Sequence, residues 1–429
     1  MHHDKEATVD ARYRRMFGYR AGYLPRDRRN LDEGQRILKA NLRSRNSGEI
    51  GSKAVGELEA LLIANPILRM YVAEMIRQAP TVDPHVQYQH VESTDELLAA
   101  LDLITTTAPR YDPDPDKRNA FPMSRLFTYM MMTTAGAAVF RNDDFNRALG
   151  RILQEWCHYL DDPRSAHVLN EDKQGWLSQF AYQDFKLYDF VFDRTAPHWG
   201  WKSYNDFFHR EIRKEVRPIA APNDPKVIIS ANDGNIVSIA RNVRRTDDFW
   251  LKGQPFSLVD MLDRSEYVDR FVGGYVFQSF LSGANYHRWH APIDGVVRDA
   301  RIVNGLTFSE AESAGPDPNA GVLSEGYDAC VNTRGLVFIE SPDPKIGMVC
   351  VIPIGITEIS SITLKVKKGD RLAKGDELGY FSYGGSSMCL VFQPGAIDHF
   401  TVPAPPPYPL VDPSSGPAIQ VNAQIAVAS

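Results

Sequence analysis

The sequence predicts an α+β protein: a helical N-terminal domain followed by a mostly antiparallel β sandwich or barrel-like domain. Two observations carry this. Through residues 46–200 apolar side chains recur at helical spacing. After about residue 215 the pattern changes to short β-branched runs separated by Asp-Gly, Asn-Gly and Gly-Asp turns. A third supports the second. Ala231-Asn232-Asp233-Gly234-Asn235-Ile236-Val237 and Pro292-Ile293-Asp294-Gly295-Val296-Val297 each set an Asp-Gly turn before an apolar strand. This weak repeat resembles small lipoyl- and biotinyl-type sandwiches, but no Asp-Lys or Met-Lys carrier site accompanies it, so it reads as shared scaffold.

In chain order, residues 1–45 form a polar, arginine-rich tail holding Arg12, Arg14, Arg15, Arg20, Arg26, Arg28 and Arg29. No aromatic ladder or repeat accompanies these arginines, so a solvated tail is expected rather than a nucleic-acid arm. Leu58, Leu61, Leu62, Ile67, Leu68, Val72 and Ile76 then follow a helical period, with Pro66 marking a break between two helices. Ser93 to Glu96 offers a capping box before Leu97, Leu98, Leu101 and Ile104. Pro109 to Lys117 reads as a loop, Pro122 to Phe140 as one buried helix, and Asp143 to Leu160 as an amphipathic one. Residues 201–429 form the second domain. Its strands include Val227–Ser230 and Val349–Ile352, with two close turns at Lys368-Gly369-Asp370 and Lys374-Gly375-Asp376. Pro403 to Ser429 reads as an extended wrap or exposed arm.

Bulk properties exclude several classes. The chain has 429 residues, 43% hydrophobic and 24% charged, with a net charge of −6, so polyanion binding is not expected. The apolar run Leu58–Ile76 is interrupted by Pro66, Arg69 and Glu74, and neither a membrane anchor nor a signal peptide is expected. Cys157, Cys330, Cys350 and Cys389 form no CxxC pair, which fits a reducing, cytoplasmic setting.

Two stretches could carry chemistry. Tyr286-His287-Arg288-Trp289-His290-Ala291-Pro292-Ile293-Asp294-Gly295 holds two histidines three apart. They can be hydrogen-bonded structural residues, a metal pair or acid–base groups. No HExxH motif or compact Cys/His set supplies further ligands, so no metal is predicted. The second is Tyr383-Gly384-Gly385-Ser386-Ser387. Two glycines free the backbone, so Ser386 can reach the Gly385 carbonyl and attack its own chain. Gly-Gly-Ser alone is a weak signal and is not the G-x-S-x-G elbow of hydrolases. The order Asp233, His290, Ser386 offers an orienter, a base and a nucleophile, which a serine hydrolase could also use.

Taken together, these blocks resemble the phosphatidylserine decarboxylase family. The resemblance rests on Tyr204–Arg210 with Arg217-Pro218-Ile219, Asp233-Gly234, Leu251-Lys252-Gly253, the Tyr286–Gly295 block and Gly384–Ser387, in the family's order from about residue 200 onward. The usual cleavage motif is Leu-Gly-Ser-Thr; this chain departs from it at Gly384 and Ser387. The helical N-terminal half and the Gly-Gly-Ser-Ser variant look like the soluble mushroom aromatic amino acid (tryptophan) decarboxylases of that family. The resemblance implies self-cleavage between Gly385 and Ser386 into fragments 1–385 and 386–429, held together non-covalently. It makes Ser386 a pyruvoyl cofactor, with no PLP. Asp233 and His290 would serve the cutting, with Gly384 and Ser387 near the oxyanion, and His287 would return a proton after CO₂ leaves. A free aromatic amino acid, tryptophan first, is the expected substrate. Phosphatidylserine, or a non-catalytic sandwich scaffold, is the alternative.

Overall fold

Asn65 closes one helix and opens the next, and the fold begins around that break. The computed structural model describes residues 36–43, 50–82, 91–114, 121–247, 256–283, 285–309, 324–358, 361–383, 386–405 and 416–429. Gly384, Gly385, the Leu251–Gly253 block and the arginines of the tail up to Arg29 lie outside these residues. The chain divides into two units.

The first unit comprises Met1–Asp184, Asp193–Phe207 and Leu306–Gly321. Its helices are α1 (Lys53–Ala64), α2 (Pro66–Gln78), α3 (Thr94–Ile104), α4 (Pro122–Met131), α5 (Thr134–Phe140), α6 (Asp143–Asp161) and α7 (Gln179–Asp184). Asn65 accepts from Leu68 N–H at 3.0 Å, and Pro66 takes the first helical position, where its missing N–H costs nothing. The α3 cap is half of a capping box. Ser93 Oγ accepts from Glu96 N–H, but Glu96 reaches back to the N–H of Glu92. The single helix expected over 122–140 is two. Thr133 caps α5 through the Gly136 N–H, and a Cβ on Gly136 would lie 1.8 Å from the Met130 carbonyl, so the chain must turn there. The core of this unit includes Phe127, Phe140 and Phe145, and Phe308 from the 306–321 segment packs edge-on against Phe127 at 5.0 Å. No described helix is long and apolar enough to cross a membrane.

The second unit comprises Phe185–Phe192, Phe208–Gly305 and Val322–Ser429. Its strands are β1 (Val227–Ile229), β2 (Gly234–Arg241), β3 (Tyr275–Leu281), β4 (Arg288–His290), β5 (Gly295–Val303), β6 (Arg334–Glu340), β7 (Met348–Gly355), β8 (Ile362–Leu364), β9 (Arg371–Leu372), β10 (Glu377–Phe381), β11 (Ser386–Phe392), β12 (Ile397–Phe400), β13 (Ala418–Ile419) and β14 (Gln424–Ala428). They form an eight-stranded sheet in the order β13-β2-β3-β11-β7-β6-β5-β9 and two three-stranded sheets, β1-β14-β12 and β4-β10-β8. All pairings are antiparallel. The large sheet is open, not a closed barrel, because β13 and β9 end its strand order. The chain end is not an exposed arm: β13 and β14 pair into two sheets, and Val421, Ile425 and Ala426 are buried.

Strand alternation sorts the two faces of the large sheet. Leu336 and Phe338, Cys350, Ile352 and Ile354, Cys389 and Val391, and Val276 share one face. The short helices α8 (Leu258–Met261), α9 (Val268–Phe271) and α10 (Glu325–Val331) supply Leu258, Met261, Phe271, Ala329 and Cys330 to the same core. By the same alternation Gln278 and Ser387 lie on this helix-covered face, and Ser279, Ser386 and Met388 on the other.

One buried cation secures the turn before β10. Lys374 Nζ donates to the carbonyls of Ala221 (2.8 Å), Asp224 (2.8 Å) and Val227 (3.0 Å), and burial lowers its pKa. Lys374→Met removes three hydrogen bonds, although the Ala221 and Asp224 carbonyls keep the N–H donors of Asp224 and Val227. A lower melting midpoint is expected, corresponding to a loss of about 2–3 kcal/mol, and differential scanning calorimetry checks it.

Candidate active site

Ser386 opens β11, the strand with full neighbours on both sides. It pairs with Leu281 of β3 and Gly355 of β7, and seven consecutive residues of β11 pair with each neighbour. Its side chain has no exposure, and Ser386 Oγ has no hydrogen-bond partner among the described residues. A buried hydroxyl left in this state costs free energy, which a merely structural serine avoids by bonding to nearby backbone. Ser387, one residue on, is satisfied. Its Oγ accepts from Gln278 Nε2 at 2.9 Å and donates to the Ser279 carbonyl at 3.2 Å. This differs from the oxyanion role expected of Ser387: its proton is committed, and it lies on the opposite face of β11 from Ser386.

His287 precedes β4 and is fully buried. Phe208 stacks on its ring, with centroids 4.0 Å apart and an interplanar angle of 28°. Tyr383, three residues before Ser386, packs edge-on with Phe208, with centroids 5.6 Å apart. The Phe381 N–H donates to the His287 carbonyl at 3.0 Å, so β10 carries the chain from His287 toward Ser386. Next to His287 in the fold, Trp289 is fully buried against Gly379, where an added Cβ would fall 2.4 Å from its ring; only glycine fits.

His290 ends β4 and both its ring nitrogens are engaged. Nδ1 lies 2.7 Å from the Gly375 carbonyl and Nε2 lies 3.0 Å from the Tyr286 hydroxyl. A carbonyl only accepts, so Nδ1 carries the proton and Nε2 accepts from Tyr286 O–H. Gly375 can present its carbonyl because it holds φ +88°, in the left-handed region. Burial lowers the His290 pKa, while the Gly375 contact and Glu377 pull it up. The ring is therefore neutral at neutral pH, the form that can take a proton. Burial raises the pKa of Tyr286, so its hydroxyl keeps its proton.

Asp233 does not touch His290 through a hydrogen bond. Arg217 grips its carboxylate with Nε to Oδ1 at 3.0 Å and Nη2 to Oδ2 at 2.7 Å, and Val421 N–H donates to Oδ1 at 2.8 Å. The relay expected from the sequence, Asp233 to His290 to Ser386, is thus hydrogen-bonded at neither link among the described residues. The physical reason is that a two-pronged guanidinium outcompetes a neutral imidazole for a carboxylate. Asp233 instead ties residue 217 to residue 421. Sequence reasoning missed Tyr286, Gly375 and Arg217 as partners, although all three sit inside motifs it singled out. Among the described residues no group of three His, Cys, Asp or Glu could hold a metal ion.

The second unit thus holds a buried serine with no hydrogen-bond partner among the described residues at the head of a central strand, together with a buried His287 and a half-buried His290. Comparison with known proteins gives the class. Residues 204–404 match the family profile described as phosphatidylserine decarboxylase, and residues 52–185 match a second phosphatidylserine decarboxylase profile. Decarboxylase iboD of Amanita muscaria is 39% identical over 295 residues, which is 64% of this chain and 84% of that protein. L-tryptophan decarboxylase of Psilocybe cubensis is 29% identical over 370 residues, covering 80% of this chain and 81% of the relative. The phosphatidylserine decarboxylase proenzyme of Chlamydia pneumoniae is 30% identical over 260 residues, 59% of this chain and 80% of that protein. The chain belongs to the phosphatidylserine decarboxylase family and is a decarboxylase, a carboxy-lyase.

Tyr286→Phe removes the donor to His290 Nε2. The neutral ring loses the bond that favours it, so the His290 pKa should rise relative to the parent protein. An NMR titration of the imidazole C–H signals checks the direction.

Proposed function

We propose that this protein is a pyruvoyl-dependent decarboxylase of a free aromatic L-amino acid, tryptophan first, giving tryptamine and CO₂. The observation that carries the reading is the buried, unbonded Ser386 hydroxyl at the head of a strand whose preceding residues are two glycines. The word proenzyme in the name of the Chlamydia relative supports maturation of a precursor.

In this reading Tyr286 releases His290 Nε2, the neutral ring takes the proton of Ser386 Oγ, and the oxygen attacks the Gly385 carbonyl carbon. The Gly385–Ser386 amide becomes an ester, with the Ser386 nitrogen as leaving amine. Loss of the Ser386 Cα proton expels the ester oxygen, and water then replaces the nitrogen as ammonia, leaving a pyruvoyl group on fragment 386–429. Asp233 contributes by fixing Arg217 and Val421, not by contact with the imidazole. Gly384, next to the scissile bond, supplies backbone freedom. The pyruvoyl group supplies the electron sink for the pair released with CO₂, and neither PLP nor a metal is needed. Its site fits: Ser386 is enclosed, and His287, held by Phe208 beside Tyr383, returns the proton to the substrate carbon. The aromatic surroundings of His287 suit an aromatic side chain.

The two fragments stay together because β11, β13 and β14 of 386–429 pair with β3, β7, β2 and β1 of 1–385. A cytoplasmic setting suits the buried thiols Cys330, Cys350 and Cys389. The likeness to a phosphatidylserine decarboxylase proenzyme favours phosphatidylserine as a second reading.

Ser386→Ala should leave a single 48.2 kDa chain with no decarboxylase activity, seen as one band on a denaturing gel. His287→Ala should be cut but lose at least about a hundredfold in turnover, in line with the usual worth of a positioned acid. A substrate panel of tryptophan, phenylalanine, tyrosine and phosphatidylserine vesicles, read by CO₂ release, separates the amino acid reading from the lipid one. An uncut parent chain that is fully active would overturn the pyruvoyl assignment.

A further inference from the structure

Glu325 is a buried carboxyl that the proposed chemistry does not use. It begins α10, is 5% exposed, and sits under the helix-covered face of the large sheet. Gln278 Nε2, from β3, donates to its Oε2 at 3.1 Å, to its own carbonyl at 3.1 Å and to Ser387 Oγ at 2.9 Å. One amide nitrogen with two protons therefore joins Glu325 to the residue that follows Ser386. Ser387 completes the chain of bonds by donating to the Ser279 carbonyl.

A carboxyl is a costly means of holding an amide in an apolar core, because burial penalises its charged form. Leucine or glutamine would pack there with less penalty, so Glu325 points to a role in the site above it. That role follows from position. Ser386 is the first residue of β11, where a strand frays most readily, and its neighbour Ser387 is the first whose side chain is anchored. We propose that Glu325, acting through Gln278 and Ser387, is the positioning residue that holds the start of β11 in register so that Ser386 can attack the Gly385 carbonyl. This rests on the self-cleavage reading above and adds to it a residue on the far face of the sheet.

The ionised form is the one that fits. A carboxylate accepts the Gln278 N–H, whereas a protonated carboxyl donates to the Ser387 oxygen and competes with Gln278 for it. Burial raises the Glu325 pKa to about 7. Cys389 on β11 faces it, backed by Cys330 on α10 and Cys350 on β7. Burial raises all three thiols, Cys330 to about 12, so they stay neutral through the window in question. His290 has its pKa lowered and is already neutral there. A step in the rate of cutting that Glu325→Gln abolishes belongs to Glu325, and the rate rises as pH rises through it.

The test follows newly made full-length chain from cell-free translation as fragment 386–429 appears at pH 6, 7 and 8. The parent chain should cut about tenfold more slowly at pH 6 than at pH 8, the ratio of ionised fractions for a group titrating near 7. Glu325→Gln keeps an acceptor but cannot titrate, so its rate should be flat across that window. Glu325→Ala should cut at least about tenfold more slowly than the parent at pH 8. The double variant with Gln278→Ala should be no slower than Glu325→Ala alone, because both break one linkage. Cutting of Glu325→Ala at the parent rate, or a Glu325→Gln profile that matches the parent's, overturns the proposal. If Glu325→Ala fails to fold, the Glu325→Gln profile decides alone. A parent chain that is never cut overturns the self-cleavage reading itself, an outcome distinct from the others.

Discussion

The second unit depends on the seating of β11. Its seven residues are hydrogen-bonded on both sides, to β3 and to β7, and every one of them is buried. A shift by one residue would exchange the polar Ser387–Gln278 face with the Ser386 face, so the pairing on both sides fixes the register through the body of the strand. At its first residue the same strand carries a hydroxyl that has no partner among the described residues. Phe208 joins His287, just before β4, to Tyr383, just after β10 and three residues before Ser386.

Around this strand, charges are used as clamps. Arg217 with Asp233 and Lys374 with three carbonyls each join segments far apart in sequence, and Arg288 with Glu377 joins β4 to β10. Each pair satisfies groups that would be costly to bury alone. His290 is oriented by neutral partners instead, and burial keeps its ring in the uncharged form. The division is physically sensible: a charged partner would raise the imidazole pKa, and a carbonyl and a hydroxyl disturb it less.

Much of this was legible in the sequence. The Asp-Gly turns announced strands because turn chemistry is local. The break at Pro66 and the Ser93 cap were legible for the same reason. The histidine block and the Gly-Gly-Ser stretch identified Ser386, His287 and His290 by residue type and order. What could not be read was partnership. Asp233 was paired with His290 by analogy, whereas Arg217 takes it. Gly375 lies 85 residues from His290, and Gln278 lies 47 from Glu325 and 109 from Ser387. Such contacts are set by sheet order, and antiparallel strands neighbouring in space need not be neighbours in sequence. The split of 122–140 into two helices was not legible because the apolar spacing runs through it, while the turn is made by the close approach of Gly136 to the Met130 carbonyl. Phe308 gave no local sign that its segment would join the helical unit.

The interleaving of the last residues has a consequence for how such a protein can be lost and regained. Residues 386–429 supply strands to the large sheet and to the β1-β14-β12 sheet, so no clean surface separates them from the rest. Before a cut at 385/386, recovery from denaturation is a first-order event, limited by loop closure. After it, recovery requires two polypeptides to meet, and its yield depends on dilution. Durability of a chain cut there would reside in the height of the barrier to opening rather than in a reversible balance.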